Sequence, residues 1–231
     1  MTILSVCQDV CKDIGLDVPS AIIGQTEREL VELVSTVNKI IPRLVKAHEW
    51  ELLLTLATIT GDAATTAWPL EADYDRMPTD MALWSSSLQT PLTHITSQNE
   101  WLGLSTYNFN YVINAWIKFG GNINIQPALA LGVTATYYYI SNAAVAPSTG
   151  SNKATWTLDT DTFRIDEELL RLAMIWTWKA KKGRPYAEDM EDYNDRLGQL
   201  ITEDKGSKIT HVGRARYPSG VNVAWPGVIT S

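Results

Sequence analysis

The sequence predicts an α+β fold: a helical bundle platform with an inserted antiparallel β-sandwich or barrel-like domain and an extended C-terminal arm. Three observations carry this. Apolar residues recur at steps of three and four over residues 27–51 and again beyond Asp166, the period of amphipathic helices. Between these stretches the period falls to two, in short runs separated by turn residues. Helices precede the strand block and follow it without alternating with it, which disfavours a doubly wound nucleotide fold. The divisions fall at 1–51 for the first helical part, 52–163 for the β domain, 164–205 for the second helical part and 206–231 for the arm.

Residues 2–14 read as a first helix ended by Gly15, with a turn over Asp17-Val18-Pro19-Ser20. The long helix, Glu27 to Glu51, has Leu30, Val34, Val37, Ile41, Leu44, Val45 and His48 on one face, beside Glu29, Glu32, Lys39, Arg43 and Lys46. Thr26 with Glu29 three residues on predicts a capping box at its start. Pro42 lacks an amide hydrogen, costs roughly 3 kcal/mol inside a helix and predicts a kink or break.

From Leu52 the alternation predicts a hairpin: one strand to Thr60, a turn over Thr60-Gly61-Asp62-Ala63, and a return through Thr66-Ala67-Trp68-Pro69-Leu70. Extended runs follow at 81–88, 92–95, 111–119, 122–126 and 133–140, with Gly120-Gly121 as a tight turn and one or two helical turns from Ser97 to Leu104. Residues 141–153 have the small polar composition of an exposed loop. Asp166 caps a third helix with Leu169, Leu170, Ala173, Trp176 and Ala180 at helical spacing, closed by Lys179, Lys181, Lys182 and Gly183. Pro185 opens a fourth, with Tyr186, Met190, Tyr193, Leu197, Leu200 and Ile201 on one face, so the pair forms an antiparallel hairpin.

The 231 residues hold one large domain or two small ones, and no stretch reads as a membrane span or signal peptide. A net charge of −7 argues against a sequence-reading DNA binder, because phosphate neutralisation needs a basic surface. Cys7 and Cys11 read as small buried hydrophobes, and with His48, His94 and His211 out of ligand spacing no metal or other cofactor is expected. Nucleophile, phosphate-loop and zinc signatures are absent. Carboxylate pairs such as Glu49 with Glu51 or Asp159 with Asp161 are common on an acidic surface, and the sequence predicts no enzyme.

Charge is more informative. The segment from Gly206 to Ser231 has no acidic residue and carries Lys208, His211, Arg214 and Arg216, with Tyr217 and Trp225 as aromatic anchors. An acidic body with a basic arm suits an assembly in which the arm reaches a neighbouring surface.

Several stretches resemble the head-to-tail adaptor proteins of tailed phages, especially those of short-tailed phages. They are His48-Glu49-Trp50-Glu51-Leu52 at a helix end, Ala67-Trp68-Pro69-Leu70, Asp73-Tyr74-Asp75-Arg76-Met77, Tyr111 to Phe119 leading through Gly121-Asn122-Ile123 to Gln126-Pro127, Thr136-Tyr137-Tyr138-Tyr139, and Glu167-Glu168-Leu169-Leu170 with Ala173. The resemblance covers most of residues 26–200. It implies a structural virion protein at the head–tail junction, made in the host cytoplasm and without enzymatic duty. It also implies a ring of twelve copies under the portal protein that extends the DNA channel without binding DNA specifically and offers a surface to tail nozzle or fibre proteins. Under it Lys208, His211, Arg214, Arg216, Tyr217 and Trp225 become the candidate contact to portal or to the next adaptor. The alternative is a non-catalytic β-sandwich module on a helical stalk, binding glycan or protein.

Overall fold

The computed structural model describes residues 1–79, 81–88, 90–107 and 114–204. The candidate contact residues Lys208, His211, Arg214, Arg216, Tyr217 and Trp225, and the arm that carries them, lie outside the described residues. The fold is α+β. In chain order it runs α1 (Ile3–Ile14), α2 (Arg28–Ala47), β1 (Leu54–Thr60), β2 (Ala67–Pro69), β3 (Tyr74–Arg76), β4 (Trp84–Ser85), β5 (Thr93–His94) and α3 (Gln98–Tyr107). It continues with β6 (Ala115–Phe119), β7 (Asn122–Gln126), β8 (Thr134–Ser141), β9 (Val145–Ala146), β10 (Thr162–Phe163), α4 (Glu167–Lys181) and α5 (Ala187–Asp204).

One core belongs to the helices. In α1 the Thr2 hydroxyl accepts from the Ser5 amide at 3.2 Å, Gly15 ends the helix at φ +76°, and Ile3, Val6, Cys7, Val10, Cys11 and Ile14 form the buried stripe. Both thiols are free and buried. Burial pushes the Cys7 thiol far up, with the charges of Cys11 and Asp159 adding to it.

The buried face of α2 is Leu30, Leu33, Thr36, Val37, Ile40, Ile41, Leu44 and Val45. Two expectations about this helix change. The predicted capping box does not form: the cap position is Glu27, one residue later than Thr26, and it makes no side-chain cap bond. The helix also continues through Pro42 without a break. Ile40, Ile41, Leu44 and Val45 are buried on either side of the proline. At roughly 1.5–3 kcal/mol per fully buried aliphatic side chain, that packing outweighs the proline penalty.

Asp166 caps α4 as expected, its Oδ1 accepting from the Leu169 amide at 2.6 Å. Lys179 bonds Asp189 at 2.7 Å near the turn, and Arg196 bonds the Asp166 cap at 2.8 Å at the far end, so α5 runs antiparallel to α4. Tyr193, Leu197, Leu200 and Ile201 of α5 lie against the core, and no residue of α5 is fully buried.

A second core lies between two small sheets. The first has the order β1-β8-β3, with β4 also on β8; the second runs β2-β7-β6-β5. Their facing residues are Ala57, Ile59, Ala135, Tyr137 and Tyr139 from the first and Trp116, Ile123 and Ile125 from the second. The hairpin expected from β1 into β2 does not exist: β1 pairs antiparallel with β8, Leu54 opposite Ile140 through Thr60 opposite Thr134, and β2 pairs with β7 in the other sheet. β6 and β7 do form a hairpin through Gly120 and Gly121, both at positive φ. The runs expected over 81–88 and 92–95 shorten to β4 and β5, and β5 is parallel to β6.

The stretch 141–153 is not the exposed loop its composition suggests. Ala143, Ala144 and Val145 are buried, β9 pairs with β10, and only residues 148–152 are a run of exposed positions. Small side chains serve close packing here: Ala144, Val145, Trp156 and Phe163 all enter the helical core.

Candidate partner-binding surfaces and the joint behind them

The carbonyls that end α2 have no partners within the helix and need donors from elsewhere. Trp50, 3 % exposed, donates its indole Nε1–H to the Leu44 carbonyl at 2.7 Å. Arg76 donates through Nη2 to the carbonyls of Val45 at 3.1 Å and His48 at 2.7 Å, and through Nη1 to Asp75 at 2.6 Å. Charge-assisted bonds of this kind are about twice as strong as neutral ones. The helix-end motif His48-Glu49-Trp50 and the motif Asp73-Tyr74-Asp75-Arg76 are therefore two sides of one joint between helices and sheet.

The joint has further members. Glu49 Oε1 accepts from the Thr79 amide at 2.8 Å and its hydroxyl at 2.7 Å. Asp204, at the end of α5, accepts from the Glu51 amide at 3.0 Å and stands 3.3 Å from His48 Nε2. Arg164 donates to the carbonyls of Ala143 at 2.8 Å and Leu52 at 2.7 Å, and burial lowers its pKa against the opposing pull of Asp73. Sequence reasoning missed Arg164, because an arginine beside a short strand gives no local sign of which carbonyls it will meet.

Asp73 anchors the sheet side, accepting from the Tyr139 hydroxyl at 2.7 Å and the Ser141 hydroxyl at 2.6 Å. Burial, then this carboxylate, pushes the Tyr139 phenol well above its ordinary value; burial, then the charges of Glu71 and Tyr74, pushes Tyr137 up to about 12. Raised acid pKa values mean that the folded state favours the neutral phenols. Their contribution is complete below the unfolded tyrosine pKa near 10 and is lost as pH rises through the folded values. Stability is thus expected to fall above about pH 10, and Tyr139→Phe is expected to lower stability near neutral pH and to flatten that alkaline fall. Phenolate absorbance during a pH titration checks this; native-state ionisation of both phenols at the ordinary tyrosine pKa would contradict it.

The carboxylate pairs have structural work. Asp159 accepts from the amides of Ile22 and Ile23, at 3.2 Å and 3.1 Å. Asp161 accepts from the amides of Thr157 and Leu158 and pairs with Lys153 at 2.7 Å. Burial opposes ionisation of Asp161, and these bonds overcome it, so its pKa is lowered. Among the described residues no group of three or more His, Cys, Asp or Glu is placed to hold a metal ion, and no helix is long and apolar enough to cross a membrane.

What the helical platform presents outward is charge. On α2 the exposed residues include Lys39, Arg43 and Lys46, at helical spacing. Lys181, at the end of α4, adds to this group: burial lowers its pKa, and the charges of Lys39, Arg43 and Lys182 lower it further. On α5 the exposed residues include Glu188, Glu191, Asp192 and Asp195.

A pair of cores bonded to each other at the end of α2, with a basic and an acidic helix face, fits a structural connecting protein. The family comparison names the kind: the model of the SU10 adaptor protein matches residues 1–222, and the chain belongs to that family. It is a phage head-to-tail adaptor, a structural protein of the virion. No curated protein matches the chain.

Proposed function

We propose that the chain assembles as a ring, of twelve copies, beneath the portal protein, extends the DNA channel and offers a docking surface to the nozzle or fibre proteins of the tail. The observation that carries this reading, beside the family, is the pairing of a basic row on α2 with an acidic row on α5. Two different, complementary patches on one subunit make a heterologous contact, which closes into a ring when the rotation between copies allows it. The division into a helical platform (1–51 and 164–205), a β domain (52–163) and an arm (206–231) follows the same reading. The arm supplies Lys208, His211, Arg214, Arg216, Tyr217 and Trp225 to portal or to the next adaptor. The whole chain has a net charge of −7 and its arm has no acidic residue, so the body is more acidic still and does not grip a passing polyanion.

Native mass spectrometry of the purified chain, alone and mixed with a portal ring, tests this. The full chain is expected to convert from monomer to a defined multiple on the ring, and a chain lacking residues 207–231 is expected to stay monomeric. A full chain that ignores portal overturns the ring; a truncated chain that assembles equally well overturns the assignment to the arm.

A further inference from the structure

The first sheet has an inner face in the β core and an outer face that, among the described residues, nothing covers over most of its length. Directly opposed residues share a face, so the outer face carries Leu54 with Ile140, Leu56 with Tyr138, and Thr58 with Thr136 and Trp84. At one end Ile140 and Leu54 run into the helical core. Beyond them Leu56 is 54 % exposed, Trp84 44 % and Tyr138 43 %, with threonines between and no charged residue among these positions. A cavity of about 370 Å³ continues the face, lined by Leu54, Ile140, Pro78 and Met81 and rimmed by Glu49 and Glu51.

This face borders a free strand edge. β1 is the outermost strand of its sheet among the described residues. The Gly61 amide donates to Val133 on the β8 side, and antiparallel pairs alternate, so the amides of Leu56, Thr58 and Thr60 point away from β8. An apolar face and a strand edge that the described residues leave open fit an extended peptide that adds as a strand and lays alternate apolar side chains on the sheet.

We infer that the occupant is this chain's own C-terminal segment, added along β1 with its apolar side chains over Leu56, Tyr138 and Trp84. The chain leaves α5 at Asp204, whose carboxylate is bonded to the amide of Glu51 at the rim of the cavity. The residues from 205 to 231 span up to roughly 90 Å when extended, far more than the length of β1. Val221, Val223 and Trp225 alternate with Asn222 and Ala224, the period an added strand requires. The segment from Gly206 has no acidic residue, and its Lys208, Arg214 and Arg216 complement Glu49 and Glu51. The inference rests on the arm reading above and deepens it: an arm stored on the sheet keeps the apolar face covered in the free chain, and assembly on portal releases it.

Hydrogen exchange of the free, full-length chain tests this, comparing it with V221S/V223S/W225S. Circular dichroism of the variant checks that its helices fold as in the natural chain. Docking predicts that peptides covering residues 54–60 exchange about tenfold slower in the natural chain than in the variant. Slowing that survives dilution places the segment on its own molecule; slowing that disappears on dilution overturns storage within one chain. Equal exchange in the two chains overturns the docking altogether. Portal is absent from this measurement, so its failure leaves the ring reading intact, and a failure to bind portal leaves the exchange result intact.

Discussion

Trp156→Ala is expected to destabilise the protein by about 3–5 kcal/mol, the range for truncating a buried aromatic side chain. The indole is 1 % exposed within the helical core and donates through Nε1 to the Leu158 carbonyl at 2.7 Å. Its backbone is fixed to α2, because Asn38 accepts from the Trp156 amide at 2.7 Å and donates to the Trp156 carbonyl at 3.2 Å. Truncation leaves a cavity and an unmatched carbonyl together. For a chain of this size each kcal/mol moves Tm by about 2–4 °C, so a fall of roughly 6–20 °C is expected. Denaturant unfolding checks it; a loss under about 1 kcal/mol, less than a typical large-to-small core change, would remove the 153–161 segment from the helical core.

Gly61→Ala acts on the other core, by overcrowding. A Cβ built there meets the Ala130 carbonyl oxygen and the Leu129 Cβ at 2.5 Å and the Leu129 carbonyl oxygen at 2.7 Å. Backbone atoms cannot rotate away as a long side chain can. Gly61 is also held on both sides, donating to Val133 at 2.8 Å and accepting from Gly132 at 3.0 Å. The expected loss is roughly 1–3 kcal/mol, toward the upper end because the clashing groups are main chain. Gly198→Ala, in the exposed part of α5 with nothing within 4 Å of the new methyl, is the contrasting control. It is expected to stabilise by about 0.5–1 kcal/mol, since alanine loses less backbone entropy than glycine in a helix. The two substitutions make the same chemical change with opposite signs, and thermal unfolding of both separates steric from entropic effects. A neutral Gly61→Ala would mean that the 129–133 turn is not packed on β1.

The joint gives these cores a mechanical relation. Arg76, Trp50 and Arg164 all donate to backbone carbonyls, so each takes up an acceptor that a helix end or loop would otherwise leave unmet. Forces applied to the sheet through a partner would pass to α2 through these bonds. That suits a structural adaptor of the virion.

The sequence by itself determined whatever depends on neighbours a few residues apart. The stripe of α2, the Asp166 cap, the antiparallel α4–α5 pair and the Gly120-Gly121 turn follow from helical period, a side-chain oxygen three residues from its amide, and glycine's tolerance of positive φ. The order of elements set the α+β class, and the ordered motifs from Trp50 to Ala173 pointed to the adaptor family. Only the tertiary structure decided which strand meets which. β1 alternates as an isolated hairpin arm would, yet it lies on β8, and alternation records which side of a strand is buried without naming the strand beside it. The break that Pro42 favours and the exposure that the 141–153 composition favours give way for the same reason. These local preferences are worth a few kcal/mol at most, and burial against residues far away in the chain outweighed them.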